Sequence, residues 1–515
     1  MAPQYSFHET PQITREDGMK ILTTAEMREI DRLTIDGGLP GLILMESAAS
    51  RVVDVLLETF RPLSEQRVVV VCGKGNNGGD GFAVARQLFT RALCRQLTVW
   101  ELFDADQLSG DAKKNRQMLA ASGCPVVREL PREAHFATVL VDAILGTGLT
   151  GAARGPALGG IKALNEEFPL AKKLSVDIPS GLPTDTPSAP GEFVKTDITV
   201  TYTAAKRSQC FGPSYEWMGK LVVASIGSPP DFLKACKLNQ TTPADIRHLF
   251  DNRLRNSNKG MYGHVLVVGG SVGKPGAPIM SGLGAYRSGA GLVTVASPGG
   301  GPSPPVLMTE TLTDAQQVLQ LLAKMTVLAI GPGLGGASET VRLVKTVYEQ
   351  AEVPAVVDAD ALNALAGDLP CTPHVRILTP HPGEMGRLIG KSAKEVQSDR
   401  LSVAQQFAAK SAACVVLKGD RTLIAFPDGE TWVNPTGSPA LAKGGTGDIL
   451  TGIVSGMVAQ HPHDWKRAVI AAVWLHGRAG ELAGIHWGEE SMIATDLLPY
   501  LPEAMNEIRP ADLHA

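Results

Sequence analysis

Three short loops in the first half of the 515-residue chain carry glycines and polar side chains at a spacing that could do chemistry. Asn76, Asn77, Gly78, Gly79 and Asp80 follow the apolar run RVVVVCG. Asp142 ends VLVDA, with Gly146 and Gly148 just beyond it, and Asp177 ends LSVD, with Ser180 close behind. Glycine lets a backbone approach a pyrophosphate, and a helix opening at Asp80 would offer it free N–H groups. Asn77, Asp142 and Ser180 are hard oxygen ligands, suited to an alkali or alkaline-earth cation better than to zinc. Any one of these loops reads equally as a tight turn or a capped loop. Three in series, each with an acidic residue, favour a site. Asp177 is the candidate acid/base group. Lys206, in TAAKRS, reads as a solvated surface lysine, with electrostatic help to the site as the alternative.

The second half holds AKGGTGDILTG (442–452), where Gly444, Gly445 and Gly447 precede a helix and form an anion hole with its dipole. Asp448 stands at its mouth. A carboxylate there is repelled by bound phosphate, so it needs a chemical reason, such as taking the proton of a hydroxyl that attacks phosphorus. A helix-capping aspartate is the plainer alternative. His381 sits between two prolines after an apolar run, which points to a rigidly held site residue; a loop or core histidine is the bland reading. Asp358, Asp360 and Asn363 are candidate magnesium or phosphate-side groups.

The elements that must position these residues are legible as alternating patterns. RVVVVCG (67–73), VLVDAI (139–144), LSVDIP (174–179) and DITVTYT (197–203) read as buried strands, and DGFAVARQLF (80–89) as a helix. SPPDFLKACKLNQTTPAD breaks the pattern near 228–245 and marks an interdomain boundary, giving domains 1–235 and 236–515. A second series follows: HVLVVGG (264–270), GLVTVAS (291–297), TVLAIGPG (326–333), PAVVDADAL (354–362), RILTPHPGE (376–384), CVVLKGD (414–420), TLIAF (422–426) and the helix ILTGIVSGMVAQ (449–460). Strands separated by helices predict α/β domains on parallel sheets, and ligands then bind at the carboxyl ends of the strands. PGGGPSPPV (298–306) reads as a loop.

Composition narrows the function classes. A net charge of -4 with no cationic run argues against nucleic acid. Seven scattered cysteines without a C-x-x-C pair indicate neither a zinc site nor a disulfide framework, and fit reduced thiols in a cytoplasmic protein. The polar opening MAPQYSFHETPQITREDG is no secretory signal, and the apolar stretch AVIAAVWL is far too short to cross a membrane.

GNNGGDG, DAILGTGLTG and VDIPSG together resemble the NAD(P)H-hydrate epimerase family over roughly residues 20–230. That resemblance implies a Rossmann-like three-layer sandwich. It assigns the hydrate to Asn76–Asp80, to Gly146, Thr147, Gly148, Leu149, Thr150, Gly151 and Ala152, and to Asp177. It assigns potassium to Asn77, Asp142 and Ser180. The anion-hole loop resembles the ribokinase-like superfamily over about 240–510, which implies a second three-layer α/β domain. LAIGPGLG, VVDADALN, LTPHPGE and VLKG followed by Thr422 narrow this to the NAD(P)H-hydrate dehydratase branch.

From that branch, Ala277, Gly333 and His381 would contact the hydrated nucleotide. Lys418, Gly419, Asp420, Arg421, Thr422 and Gly447 would hold ADP, with Mg2+ on its phosphates, and Asp448 would be catalytic. Asp420–Arg421 departs from the KGAGT-like form of the family. The joint implication is an enzyme that epimerises and dehydrates NADHX and NADPHX at the expense of ADP, soluble and homo-oligomeric. The rival is a vitamin-precursor or sugar kinase with a regulatory metabolite-binding N-terminal half.

Overall fold

The computed structural model describes residues 19–186, 188–298 and 303–509. The polar opening of the chain and the middle of the 298–306 loop lie outside the described residues. The chain forms two compact units, one over 19–238 and one from 239 onward.

In the first unit β1 (Arg67–Cys72), β2 (Gln96–Glu101), β3 (Val126–Val127), β4 (Val139–Ala143), β5 (Lys172–Val176), β6 (Ile198–Tyr202) and β7 (Lys220–Ala224) make one sheet in the order β3-β2-β1-β4-β5-β6-β7. Every pairing is parallel. The valines of β1 explain why it lies at the centre: a strand covered on both faces is stable only as a near-continuous apolar run. Val68, Val70 and Cys72 pack with helices Gly41–Thr59, Asn76–Thr90 and Gly110–Ala121, while Val69 and Val71 pack with helix Gly155–Glu166 on the other face. The expected three layers are present.

Strand order reverses between β1 and β4, so their carboxyl ends open a crevice there. Gly73 closes its floor, since a Cβ at this position would lie 1.9 Å from the Ile144 carbonyl oxygen. The helix after β1 starts at Asn76, not Asp80, so the NNGGD segment forms its first turns.

In the second unit β8 (His264–Val268), β9 (Leu292–Ser297), β10 (Met308–Thr311), β11 (Val327–Ile330), β12 (Ala355–Val357), β13 (Arg376–Leu378) and β14 (Cys414–Leu417) are parallel, in the order β10-β9-β8-β11-β12-β13-β14. β15 (Leu423–Ala425) and β16 (Thr431–Val433) continue it antiparallel. Helices again cover both faces: Gly276–Arg287, Thr446–Gln460 and Trp465–Trp487 on one, Ala315–Leu322, Ser338–Gln350 and Ala359–Ala364 on the other. The reversal falls between β8 and β11.

Helices Gly276–Arg287 and Thr446–Gln460 meet backbone to backbone. A Cβ on Gly452 would lie 2.0 Å from the Ser281 carbonyl oxygen, and one on Gly284 would lie 2.6 Å from that of Ile449. The close approach lets the Ser281 hydroxyl donate to the Asp448 carbonyl at 2.8 Å, which fixes the first turn carrying Asp448. No helix of the described residues is long and apolar enough to cross a membrane.

Candidate active sites

The crevice of the first unit is built from the ends of β1, β4 and β5. Asn77 lies in the first turn of its helix, buried, and neither atom of its amide has a hydrogen-bond partner. Gly146 lies directly over it, since a Cβ there would stand 3.5 Å from Asn77 Oδ1; this contact joins the β1 and β4 loops. Asp142, 1% exposed at the end of β4, accepts from the Ser180 hydroxyl, from Ser180 N–H at 2.8 Å, from Ser175 Oγ at 2.9 Å and from Ile144 N–H at 3.3 Å. Burial pushes its carboxyl upward, and the bonds from Ser180, Ser175 and Ile144 oppose the shift. The Leu145 amide donates to Ser180 Oγ at 2.8 Å, which ties the β4 loop to the β5 loop.

Asp177 follows β5 in a left-handed backbone conformation, φ 65°, which is uncommon for a residue with a side chain. Gln209 Nε2 donates to its carbonyl oxygen at 2.7 Å, and its own N–H donates to Val200 O at 2.7 Å. Its carboxylate is paired with Lys206 at 2.7 Å. The reading of Lys206 as a solvated surface lysine is therefore overturned: the residue is 1% exposed. Its strand, Ala205–Lys206, pairs with Met19–Leu22 from far away in sequence and is thereby drawn inside.

Asp80 is buried one turn into its helix, and burial with repulsion from Asp177 and Asp31 raises its pKa well above the carboxylate range. Gly78 and Gly79 face protein: a Cβ on Gly78 would meet Gly73 O at 1.9 Å, and one on Gly79 would meet Met45 Sδ at 2.7 Å. Asn76 is exposed. In the β4 loop, Gly148 and Gly151 border open space, Thr147 O accepts from Thr184 Oγ1 at 3.2 Å, Leu149 and Ala152 are half-buried, and Thr150 is exposed.

In the second unit Asp448 lies in the first turn of its helix, after Gly445 in a left-handed conformation at φ 97°. Its carboxyl is pushed up to about 6, first by burial and then by repulsion from Asp358, with Lys418 opposing and Asp360 and Glu384 adding to it. Lys418, at the end of β14, donates to Asp358 Oδ1 at 2.8 Å and lies 3.7 Å from Glu384 Oε2. Burial works against its charge, but Asp358, Glu384 and Asp448 outweigh that and raise its pKa. Its ammonium also lies 3.5 Å from where a Cβ on Gly447 would be, which brings the cation to the anion hole.

Asp358, 1% exposed, holds Lys418 by one oxygen and accepts from Thr451 Oγ1 at 2.7 Å with the other. Asp360 accepts from Gly335 N–H at 2.8 Å, and Asn363 accepts from Arg387 Nε at 2.7 Å. His381 caps helix Pro382–Ile389: its Nδ1 accepts from Gly383 N–H at 3.0 Å and Glu384 N–H at 3.4 Å, which leaves the ring proton on Nε2. Burial lowers its pKa, so the ring is neutral. Glu384, inside LTPHPGE, joins the site without a local signal of its own. Buried, it accepts from His381 N–H at 2.8 Å and faces both His381 Nε2 and Lys418.

Gly333 and Ala277 are neighbours, with a Cβ on Gly333 placed 3.2 Å from that of Ala277. Lys418 to Thr422 form the tight turn between β14 and β15. Arg400 donates to Asp420 O and, at 3.1 Å, to Leu417 O; Arg421 takes φ 51°, and Thr422 Oγ1 donates to Gly419 O at 2.9 Å.

Two family models cover the chain: one described as NAD(P)H-hydrate dehydratase matches residues 265–503, and one described as YjeF-related protein N-terminus matches 41–208. The bifunctional NAD(P)H-hydrate repair enzyme of Moorella thermoacetica is 39% identical over 95% of this chain and 97% of its own length. That of Coxiella burnetii is 38% identical over 93% and 98%. Among solved structures, the ADP/ATP-dependent NAD(P)H-hydrate dehydratase of Bacillus subtilis, co-crystallized with ATP and Mg2+, is 37% identical over 52% of this chain and 98% of that one, with a TM-score of 0.47. With both models matched in one chain and relatives at 38–39% identity over nearly its full length, the protein belongs to the family of bifunctional NAD(P)H-hydrate repair enzymes.

Proposed function

We propose that the first unit interconverts the R and S epimers of NADHX and NADPHX, and that the second dehydrates the S epimer at the expense of ADP, yielding AMP and phosphate. The observation that carries the second activity is the Asp448 carboxyl, raised to about 6, at a helix N-terminus beside the Lys418 ammonium. A carboxylate more basic than usual suits the removal of a hydroxyl proton.

Asp448 takes the proton of the C6 hydroxyl, and the oxygen bonds to the terminal phosphorus of ADP while the bond from that phosphorus to AMP breaks. The ring nitrogen's lone pair then breaks the C6–O bond and releases phosphate. Loss of a proton from C5 forms the C5–C6 double bond of NAD(P)H. Lys418 and the backbone N–H groups at Gly445–Gly447 bind the phosphates, and Ala277, Gly333 and His381 line the nicotinamide side. Mg2+ on the nucleotide would neutralise phosphate charge, and Asp360 is the carboxylate that fits it, since such ions take one or two protein oxygens beside phosphate.

In the first unit the C6 hydroxyl departs as water with a proton from an acid, supported by the nitrogen lone pair. Water then adds to the opposite face and gives its proton to Asp177. Asn77, Asp142 and Ser180 fit a potassium ion: the amide oxygen is buried without a partner, and Asp142 is a buried carboxylate whose charge only neutral groups address. The ion would supply fixed positive charge near the phosphates. The proposal includes a cytoplasmic location, which the scattered unpaired cysteines support, and a homo-oligomeric state. The test is incubation of the purified chain with mixed NADHX epimers, K+, Mg2+ and ADP. Recovery of all the NADH with stoichiometric phosphate supports both activities; recovery of the S fraction alone removes the epimerase; a stable phosphorylated product with no NADH selects a kinase.

A further inference from the structure

The Lys206 ammonium has three protons, and all three have acceptors within the protein: Thr201 Oγ1 at 2.6 Å, Asp177 Oδ1 at 2.7 Å and Tyr202 O at 3.1 Å. At 1% exposure it has none left to offer a substrate. Thr201 Oγ1 also donates to Asp177 Oδ1, at 3.2 Å. One carboxylate oxygen is thus held by two donors. The other, Oδ2, has no hydrogen-bond partner among the described residues, and the side chain keeps 15% of its surface open. The chain goes to some length to arrange this, with a left-handed φ at Asp177, a Gln209 bond to its carbonyl and a two-residue strand that buries the lysine.

We infer that Lys206 is a positioning residue for epimerisation: it holds Asp177 by Oδ1, so that Oδ2 is presented to the substrate as the proton acceptor. The inference rests on the reading of the first unit as an epimerase with Asp177 as its acid/base group. The need for such a cation is visible in the surroundings. Asp80 from helix Asn76–Thr90 and Asp31 from helix Thr24–Asp36 both act electrostatically on Asp177, and the Tyr202 hydroxyl is buried nearby in the same field. Without an ammonium fixed on Asp177, three carboxyls in one crevice would share protons, and which of them is the base would be undefined.

The test uses the full chain and follows epimer interconversion against pH, with S-epimer dehydration by the second unit as an internal control for folding. Wild-type interconversion that Asp177→Asn abolishes establishes the underlying reading; if wild type does not interconvert the epimers, that reading falls, separately from this inference. Lys206→Met is then expected to lower kcat by about 100-fold with KM changed by less than about threefold, and to move the acid limb of the pH profile up by about one unit or more, because Asp177 loses its counter-charge. Lys206→Arg, which keeps the charge, is expected to recover part of kcat and the original limb. Thr201→Val, which removes one anchor without emptying the core, is expected to lower kcat by about tenfold at unchanged KM. A Lys206→Met enzyme with kcat within about threefold of wild type, or with lost kcat but an unmoved acid limb, overturns the inference. If Lys206→Met does not fold, Thr201→Val with unchanged kcat overturns it instead.

Discussion

Replacing Asp448 with asparagine separates catalysis from stability, because the same burial that makes the carboxyl basic also makes its ionised form costly. In the folded protein the group titrates near 6, against 3.8 without its surroundings, burial being the first cause and Asp358 the second. A displacement of about two pH units corresponds to about 3 kcal/mol. Residual solvent contact at this half-buried position brings the expectation down to about 1–3 kcal/mol. The sign follows from linkage: a carboxyl whose folded pKa is raised loses stability as pH climbs from its unfolded value through its folded one. Asp448→Asn has no such loss. Its melting temperature should match wild type near about pH 4, exceed it increasingly between about 4 and 6, and stay roughly 3–8 °C higher above about pH 7. ADP should also bind more tightly, since a carboxylate beside phosphate has been removed. Nucleotide-dependent dehydration should fall by about 100-fold or more. Thermal melts across that pH range, with ADP titration and phosphate release on the same preparation, make the check. Dehydration retained within about tenfold would remove Asp448 as the base, and no stability gain at about pH 8 would remove the cost of its buried charge.

Asp80 offers the same comparison in the first unit. Burial and repulsion from Asp177 and Asp31 raise its pKa, so Asp80→Asn should be more stable than wild type at about pH 8 and equal to it near about pH 4, while epimerisation falls by about 100-fold if Asp80 supplies the proton for the departing hydroxyl. Gly452→Val should destabilise the second unit by about 3 kcal/mol or more, because its Cβ meets the Ser281 backbone at 2.0 Å, whereas Gly444→Ala, with nothing within 4 Å, should leave its melt within about 0.5 kcal/mol. Glu384→Gln should tighten ADP binding by about threefold, read by calorimetry, since one of the two carboxylates that compete with phosphate for Lys418 loses its charge.

The parallel sheets were legible because their strands are apolar on both faces, and runs such as RVVVVCG and HVLVVGG announce that without ambiguity. Strands with weaker signals were not: Gln96–Glu101 mixes polar residues into an edge-ward position, Met308–Thr311 is exposed throughout, and Thr431–Val433 is only three residues long. The site loops could be read because glycine and acid at a strand end leave a local signature. Lys206 could not, since its burial depends on pairing with Met19–Leu22, a contact that no window around TAAKRS contains. For the same reason the ion pair of Asp358 is not legible locally: its partners Lys418 and Thr451 are distant in sequence. His381 was singled out through its flanking prolines, while its use of Nδ1 as a helix cap, and the part of Glu384 in tying it toward Lys418, required the folded turn.

The two crevices, unlike in sequence, solve one electrostatic problem in the same way. On the proposed function, each must keep a carboxyl able to move protons beside bound phosphate, where several acids repel one another. In the first unit a buried lysine is bound to Asp177, and Asp80 is left with a raised pKa. In the second, Lys418 is bound to Asp358, and Asp448 is left with a raised pKa. A lysine fixed on one carboxylate leaves its unpaired neighbour as the acid whose pKa is raised by burial and repulsion. The roles then diverge by position. Asp177 is the paired acid and still keeps an oxygen open to the crevice, whereas Asp358 has both oxygens occupied, which leaves the chemistry to its unpaired neighbour. Removing the lysine should therefore cost the first site its base directly, and cost the second its phosphate contact before its base.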